Sequence, residues 1–406
     1  MLMIPLLVLA AGSCSRLEDD DDGNNPYRPL SLSTKQTGYV SAGMDFSYRF
    51  LEKVDAKTTL EGHDSWFVSP LSLQIALGML LNGAQGVTAT EICRTLGYGE
   101  GETAEINGYC RLMLEQLPKL DKKTELSMAN AIFYRKDITL KTPFKNAVSD
   151  NYHATLEAMD FSKSAAAAKT INNWCGKQTK GMIPKVLDNV SPDATAYLIN
   201  ALYFKSKWAE QFSKGDTGKE TFTDEEGRTL KVDMMKMDDK SFAYNENGIC
   251  QAVRLPYGNG AYAMTVILPK EGHTVSELLS SPEEIPSPAH RATVDLWLPR
   301  FEMKYHVLLN DILRGMGMHT SFDPLAADFL AMSDIPSYVD FVQQDAVIKV
   351  DEQGTEAAAV TVIGMRETAM PMPPEKVVFH ADRPFLFLIS EQSTGAILFA
   401  GKYSGK

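Results

Sequence analysis

The chain has 406 residues, a formal net charge of −12 and 44% hydrophobic residues. That length and apolar content suffice to bury a large core, in one domain or two. The acidic balance, with no dense Lys/Arg block to offset it, argues against nucleic-acid or heparin binding, and the nearest basic run, Lys119 to Lys123 (KLDKK), reads as a solvated loop.

The first element is Met1 to Ala11 (MLMIPLLVLAA), an apolar stretch too short to span a bilayer and suited to the core of a secretion signal. The small residues just before Cys14 resemble the cleavage box of bacterial lipoproteins. That resemblance implies loss of the signal, lipid attachment at Cys14 and display from the outer membrane, on its periplasmic or outer face. An ordinary cleaved signal and a mis-called start codon are the other readings. Residues 15–38 include an acidic Gly/Asn/Pro tract, Glu18 to Pro26 (EDDDDGNNP), which cannot pack a core and reads as a flexible tether. Residues 39–406 are then one domain.

Gly43 to Glu52 opens a helical pattern. Trp66-Phe67-Val68 is a short strand, after which Ser69 caps a helix with Pro70 at its first position. Thr88 to Leu96 begins another helix, Leu126 to Tyr134 (LSMANAIFY) is strand-like, and Ala165 to Thr179 is helical with Ile171 and Trp174 on one face. Tyr197 to Lys205 (YLINALYFK) reads as a strand buried on both faces. Ala252 to Pro256, Tyr262 to Pro269, Thr293 to Pro299 and Tyr338 to Val350 give further strands; Phe385 to Ser390 and Ala396 to Ala400 form a hairpin across Glu391 to Gly395. Helices dominate the first half and strands the second, which suggests an α+β domain rather than alternating βαβ units. Cys93, Cys110, Cys175 and Cys250 are sparse, without CxxC spacing, and read as buried free thiols rather than a zinc or redox site. The chain has no GxSxG elbow, HExxH helix or P-loop, its seven histidines are scattered, and nothing points to a cofactor or to an enzyme.

The stretch Val350 to Thr361 (VDEQGTEAAAVT) is the most informative one. Local propensity favours a short helix, with Thr355 as N-cap and Glu356 in the first turn. The flanks favour a strand that stops at Gly354 and continues into a loop of residues 354–374, ended by prolines. Loops of that length inside a compact domain are usually functional. Met365, Met370 and Met372 are poor choices for an idle surface loop.

From about Tyr39 to Tyr403 the chain resembles the serpin family. The resemblance rests on Glu352-Gln353-Gly354-Thr355-Glu356-Ala357-Ala358-Ala359, Phe67 to Leu73, Ile199 to Lys205 with Trp208, Leu255-Pro256-Tyr257, Leu298 to Phe301 and Phe379 to Phe387, in that family's order and spacing. It implies an α+β fold of three β-sheets and about nine helices with an exposed reactive-centre loop. It also implies a monomeric suicide-substrate inhibitor. A target serine endopeptidase, with papain-like cysteine proteases as a second class, cleaves the loop and is held as an acyl-enzyme. The loop meanwhile inserts into the largest sheet, driven by a kinetically trapped native fold. Alternation along a strand puts Thr355, Ala357, Ala359 and Thr361 on one face, all small or β-branched, and Glu356 and Ala358 on the other. Carried over residue by residue, Trp208, Arg300 and Glu352 form the cluster where the loop enters, with an Arg300–Glu352 ion pair. Ser69, Ser72 and Asn200 form the polar cluster behind the sheet centre, where Gln344 stands in place of the family's usual histidine. The reactive bond falls at Thr368-Ala369 by counting from Gly354, with Arg366 and Met370 as alternatives; Thr368 suits an elastase- or subtilisin-like pocket. The competing function is a serpin-fold binding lipoprotein whose loop is cut without trapping anything.

Overall fold

A computed structural model describes residues 25–355 and 376–406. In chain order the elements are α1 (Thr34–Leu60), β1 (Trp66–Val68), α2 (Pro70–Leu81), α3 (Gly86–Leu96), α4 (Thr103–Gln116), β2 (Glu125–Arg135), α5 (Thr142–Tyr152), β3 (Thr155–Met159), α6 (Ser164–Gln178), β4 (Ala196–Lys207), β5 (Gly218–Thr223) and β6 (Thr229–Glu246). They continue with β7 (Cys250–Tyr257), β8 (Tyr262–Pro269), α7 (Val275–Ser280), β9 (His290–Pro299), β10 (Phe301–Leu308), α8 (Asn310–Gly315), β11 (Gln343–Asp351), β12 (Gly354–Thr355), β13 (Lys376–His380), β14 (Phe385–Glu391) and β15 (Ile397–Tyr403). The helix-rich first half and strand-rich second half follow the sequence pattern, with eight α-helices among the described residues.

One sheet has the order β10-β11-β12-β4-β2-β3. The other strands form a continuous array, β1-β15-β14-β8-β7-β6-β9-β13, with β5 on the remaining edge of β6. That array is two sheets sharing β6. A register shift between Met237 and Lys240 bends β6, so that its first half pairs with β5 and its last residues pair with β7. The fold thus has the three sheets expected.

The helix most central to the site is α2. Ser69 caps it by accepting the Ser72 N–H, Pro70 opens it, and every one of its residues except Ala76 is buried. A helix apolar all round belongs inside a core, and α2 lies against β4 and β15. On the opposite face of the sheet, α6 packs Ile171 and Cys175 onto Ala131, Phe133 and Tyr197. Trp174 meets the Phe133 ring edge-on at 5.9 Å. Cys93, Cys110, Cys175 and Cys250 are all free and buried. Burial pushes their thiols up, to about 11 for Cys93 and Cys250 and about 12 for Cys110 and Cys175.

Three expectations are corrected. The strand placed at Tyr338 to Val350 begins at Gln343, because its partner β10 ends at Leu308, opposite Gln343, and leaves residues 338–342 no ladder. The tether boundary at residue 38 falls inside α1, which starts from a Ser33/Gln36 capping box. The chain is already packed at Asn25, whose amide donates to Asp121 (2.7 Å) and whose carbonyl accepts from Asn259 (3.3 Å), and at Leu30, whose N–H reaches the Ser393 hydroxyl (3.0 Å). Finally, β4 is not buried throughout: Tyr197, residues 201–204 and Ser206 are buried, whereas Leu198, Ile199 and Asn200 are half-buried.

Candidate functional site

The half-exposure of lower β4 has a structural cause. Among the described residues, β11 and β4 are joined only through the two-residue strand β12. Below it lies a cavity of about 350 Å³ between the two strands, floored by Leu73 and Leu77 of α2 and walled by Asn200, Leu202, Gln344 and Ala346. Two polar clusters lie along this slot, one at its upper end and one at its centre.

At the upper end the chain leaves β11 at Asp351, turns, and re-enters the sheet as Gly354-Thr355, opposite Lys207 and Ser206 of β4 and Asp351 and Val350 of β11. The first two residues of the expected loop are therefore already strand. Gly354 is required there: its φ is +151°, and a Cβ would stand 2.3 Å from the Ser206 carbonyl oxygen and 2.6 Å from Lys207 Cα. Trp208, 3% exposed, ties the turn down. Its indole N–H donates to the Asp351 carbonyl at 2.9 Å and its main-chain N–H to the Gln353 carbonyl at 3.0 Å. Its ring stacks on Tyr257 at 4.5 Å and 11°. Glu352, 4% exposed, accepts from the Thr217 hydroxyl at 2.8 Å and from Arg300 Nη1 at 3.4 Å, while Arg300 Nη2 holds Asp233 at 2.8 Å. Lys219 first, and Arg300 with it, hold the Asp233 carboxyl below the usual carboxylate range. The Arg300–Glu352 pair read from the sequence is present, as part of a five-residue network with Thr217, Asp233 and Lys219.

At the centre, Gln344 of β11 makes a two-point contact with the start of α2. Its Oε1 accepts from Ser69 N at 2.7 Å, and its Nε2 donates to the Ser69 carbonyl at 3.0 Å. The Ser69 hydroxyl donates to the Leu398 carbonyl (2.6 Å) while capping α2. The Ser72 hydroxyl donates to Asn200 Oδ1, Asn200 Nδ2 to Asn130 Oδ1 (2.7 Å), and Asn130 Nδ2 to the Tyr152 carbonyl (2.8 Å). All four residues named for this cluster are brought together. Asn200 is half-buried rather than buried, because it faces the slot.

Sequence reasoning missed Asn130, Thr217, Asp233 and the role of Tyr257. Asn130 carried a usable signal, a lone amide inside the apolar strand Leu126 to Tyr134. Of the hinge, Gly354 and Thr355 are described; Glu356, Ala357, Ala358, Ala359 and Thr361 lie outside the described residues, as do Arg366, Thr368, Ala369, Met370 and Cys14.

A central sheet in which a two-residue strand returns between β11 and β4, with polar clusters at its entry and its middle, defines a serpin-type architecture. The family model for Serpin (serine protease inhibitor) matches residues 41–405. The chain belongs to the serpin family. It is 32% identical to an uncharacterized serpin-like protein of Thermococcus kodakarensis over 99% of this chain and 97% of that protein, and 32% identical to Serpin B8 of Homo sapiens over 83% and 92%. Among solved structures it is similar to the thermophilic serpin tengpin in the native state (29% identity, 94% and 96% coverage, TM-score 0.79). It is also similar to thyroxine-binding globulin in complex with thyroxine (28% identity, 90% and 98% coverage, TM-score 0.76). Serpins are generally protease inhibitors rather than enzymes, and a thyroxine-binding globulin shares the fold.

Proposed function

We propose that this protein inhibits endopeptidases as a suicide substrate, with a serine protease of elastase or subtilisin type as target and papain-like cysteine proteases as a second class. The observation that carries the reading is the slot between β4 and β11, whose upper end holds Gly354 and Thr355 and whose lower part contains the cavity. Thr355 faces inward and is 4% exposed. If β12 is extended in the same register, Ala357, Ala359 and Thr361 follow Thr355 onto the inward face. Thr361 lies six residues beyond Thr355, and Asn200 and Gln344 lie six residues back from its partners Ser206 and Val350. An inserting strand would thus deliver the Thr361 hydroxyl to the central polar cluster, where amides and serine hydroxyls can receive it.

Cleavage at Thr368-Ala369 would free the loop, with Arg366 and Met370 as the alternative residues before the cut. No residue of this chain has to do chemistry, since the acyl bond belongs to the protease. In the same proposal Cys14 carries a lipid anchor, and the domain acts as a monomer on the periplasmic or outer face of an outer membrane.

The test is to mix the purified protein with elastase, subtilisin, trypsin and papain and look for a covalent complex on a denaturing gel. A complex with elastase or subtilisin, and a released peptide beginning at Ala369, is the expected result. A peptide beginning at Glu367 moves the bond to Arg366. Clipping by every protease without a complex overturns inhibition and leaves a serpin-fold binder.

A further inference from the structure

We infer that Tyr257 is the positioning residue that holds the hinge inside the sheet before any protease arrives. The inference rests on the loop-entry reading of the β12 position. Strand β12 is two residues long, too short to hold itself in a sheet by its own ladder. Tyr257 stands beneath it at the end of β7 and is fixed on every side but one. Trp208 stacks on one face of its ring, and the Phe204 ring meets it edge-on at 5.3 Å. Main-chain bonds on either side tie it to the end of β4: Ala209 N donates to the Pro256 carbonyl (2.8 Å) and Gly258 N to the Lys207 carbonyl (2.9 Å).

The remaining polar end, the hydroxyl, shares a 2.7 Å hydrogen bond with Thr355 Oγ1. Tyr257 is 0% exposed, and burial pushes its phenol far above its ordinary range, so it stays protonated at any working pH. Withdrawal of Thr355 would leave this hydroxyl buried without a partner, which folded proteins rarely allow. The rigid phenol therefore resists withdrawal of the hinge, and the resting protein keeps the first step of insertion already made. Thr355 suits the position because its β-branched carbon favours a strand while its hydroxyl meets the phenol. Valine would keep the shape and lose the bond.

The experiment is hydrogen exchange read by mass spectrometry on the full chain, comparing wild type, Tyr257→Phe, Thr355→Val and the double variant. Either single substitution should speed exchange in the segment 350–355 by roughly tenfold, the effect expected when one buried hydrogen bond no longer opposes opening. The double variant should add little more, because both changes remove the same bond. A merely structural role for the two side chains would instead give additive effects spread over neighbouring strands. Unchanged exchange in Tyr257→Phe, or additive effects, overturns the proposal. Should Tyr257→Phe fold poorly, Thr355→Val alone carries the test. In parallel, Tyr257→Phe should raise the number of inhibitor molecules consumed per protease trapped. If the wild type traps no protease while exchange behaves as expected, the inhibitor reading fails and the positioning role of Tyr257 stands.

Discussion

Alanine at Gly354 should expel the hinge from the sheet without unfolding the protein. The new methyl group would lie 2.3 Å from the Ser206 carbonyl oxygen, 2.6 Å from Lys207 Cα and 2.9 Å from Trp208 N. All three are backbone atoms of one chain segment, so none can swing aside as a side chain would. The φ of +151° adds a penalty that glycine alone escapes. Backbone strain of this kind costs about 1–3 kcal/mol, and forced overpacking about 1–3 kcal/mol more, roughly 2–6 kcal/mol together. Against it stand a few ladder bonds and the Tyr257 contact, each about 1 kcal/mol net. The two sums are comparable, and the strain is relieved entirely once the two residues leave. Local expulsion is therefore the cheaper response. Hydrogen exchange in the segment 350–355 should approach that of an open loop, while the global melting temperature changes little. Protein consumed per trapped protease should rise, since insertion must start from outside the sheet. Retained protection of that segment in a folded Gly354→Ala variant would refute the reasoning, and so would a large global destabilisation with the segment still protected.

Further expectations concern the rest of the molecule. Gln344→Ala removes both contacts to Ser69 and should lower stability by about 2 kcal/mol, since the site is partly open to the slot; denaturant unfolding with an unchanged midpoint would contradict the contact's importance. Thr355→Arg places a charge on the inward face and should turn an inhibitor into a substrate; continued trapping would count against insertion. The four buried thiols should resist iodoacetamide at pH 8 and all react in denaturant, and titration there should find a fifth thiol, Cys14, only in chains that are not lipidated. Lys136, and then Ser162, lower the Asp160 carboxyl from its ordinary 3.8 to about 2. Its contribution is therefore present above about pH 4 and lost as pH falls through about 2. Asp160→Asn should flatten acid unfolding in that window, and an unchanged acid limb would show that the contact contributes nothing.

The parts of the site legible in the sequence were those held by short-range chemistry. Ser69 followed by Pro70 announced a helix start, and it is the Ser69 backbone that Gln344 grips. The exception is Glu352 and Arg300: 52 positions apart, they were readable as a pair only through the family resemblance. The misread features depended on what a neighbouring strand does. Residues 338–342 alternate like a strand, yet the adjacent chain has by then turned into α8. Leu198 to Asn200 look doubly buried, yet they border the slot and are half-buried. Thr217 and Asp233 gave no signal because their importance comes from meeting Glu352 and Arg300 across the fold, through polar contacts that no spacing encodes.

The landing point of Asn25 sets how the molecule would stand on a membrane. Asn25 bonds Asp121, which also accepts from the Thr124 hydroxyl; that hydroxyl shares a 2.6 Å bond with Ser206, the residue opposite Thr355. Asn25 thus sits beside the entrance of the slot. Cys14 and Asn25 are eleven Cα–Cα steps apart, and a fully extended chain of that length reaches about 36–40 Å. An anchored molecule would therefore hold its bait end toward the lipid, within a gap about as wide as a small protease domain. Compact single-domain proteases would fit that gap and bulky assemblies would be kept out. A captured enzyme, carried to the opposite end of the sheet, would finish facing away from the bilayer.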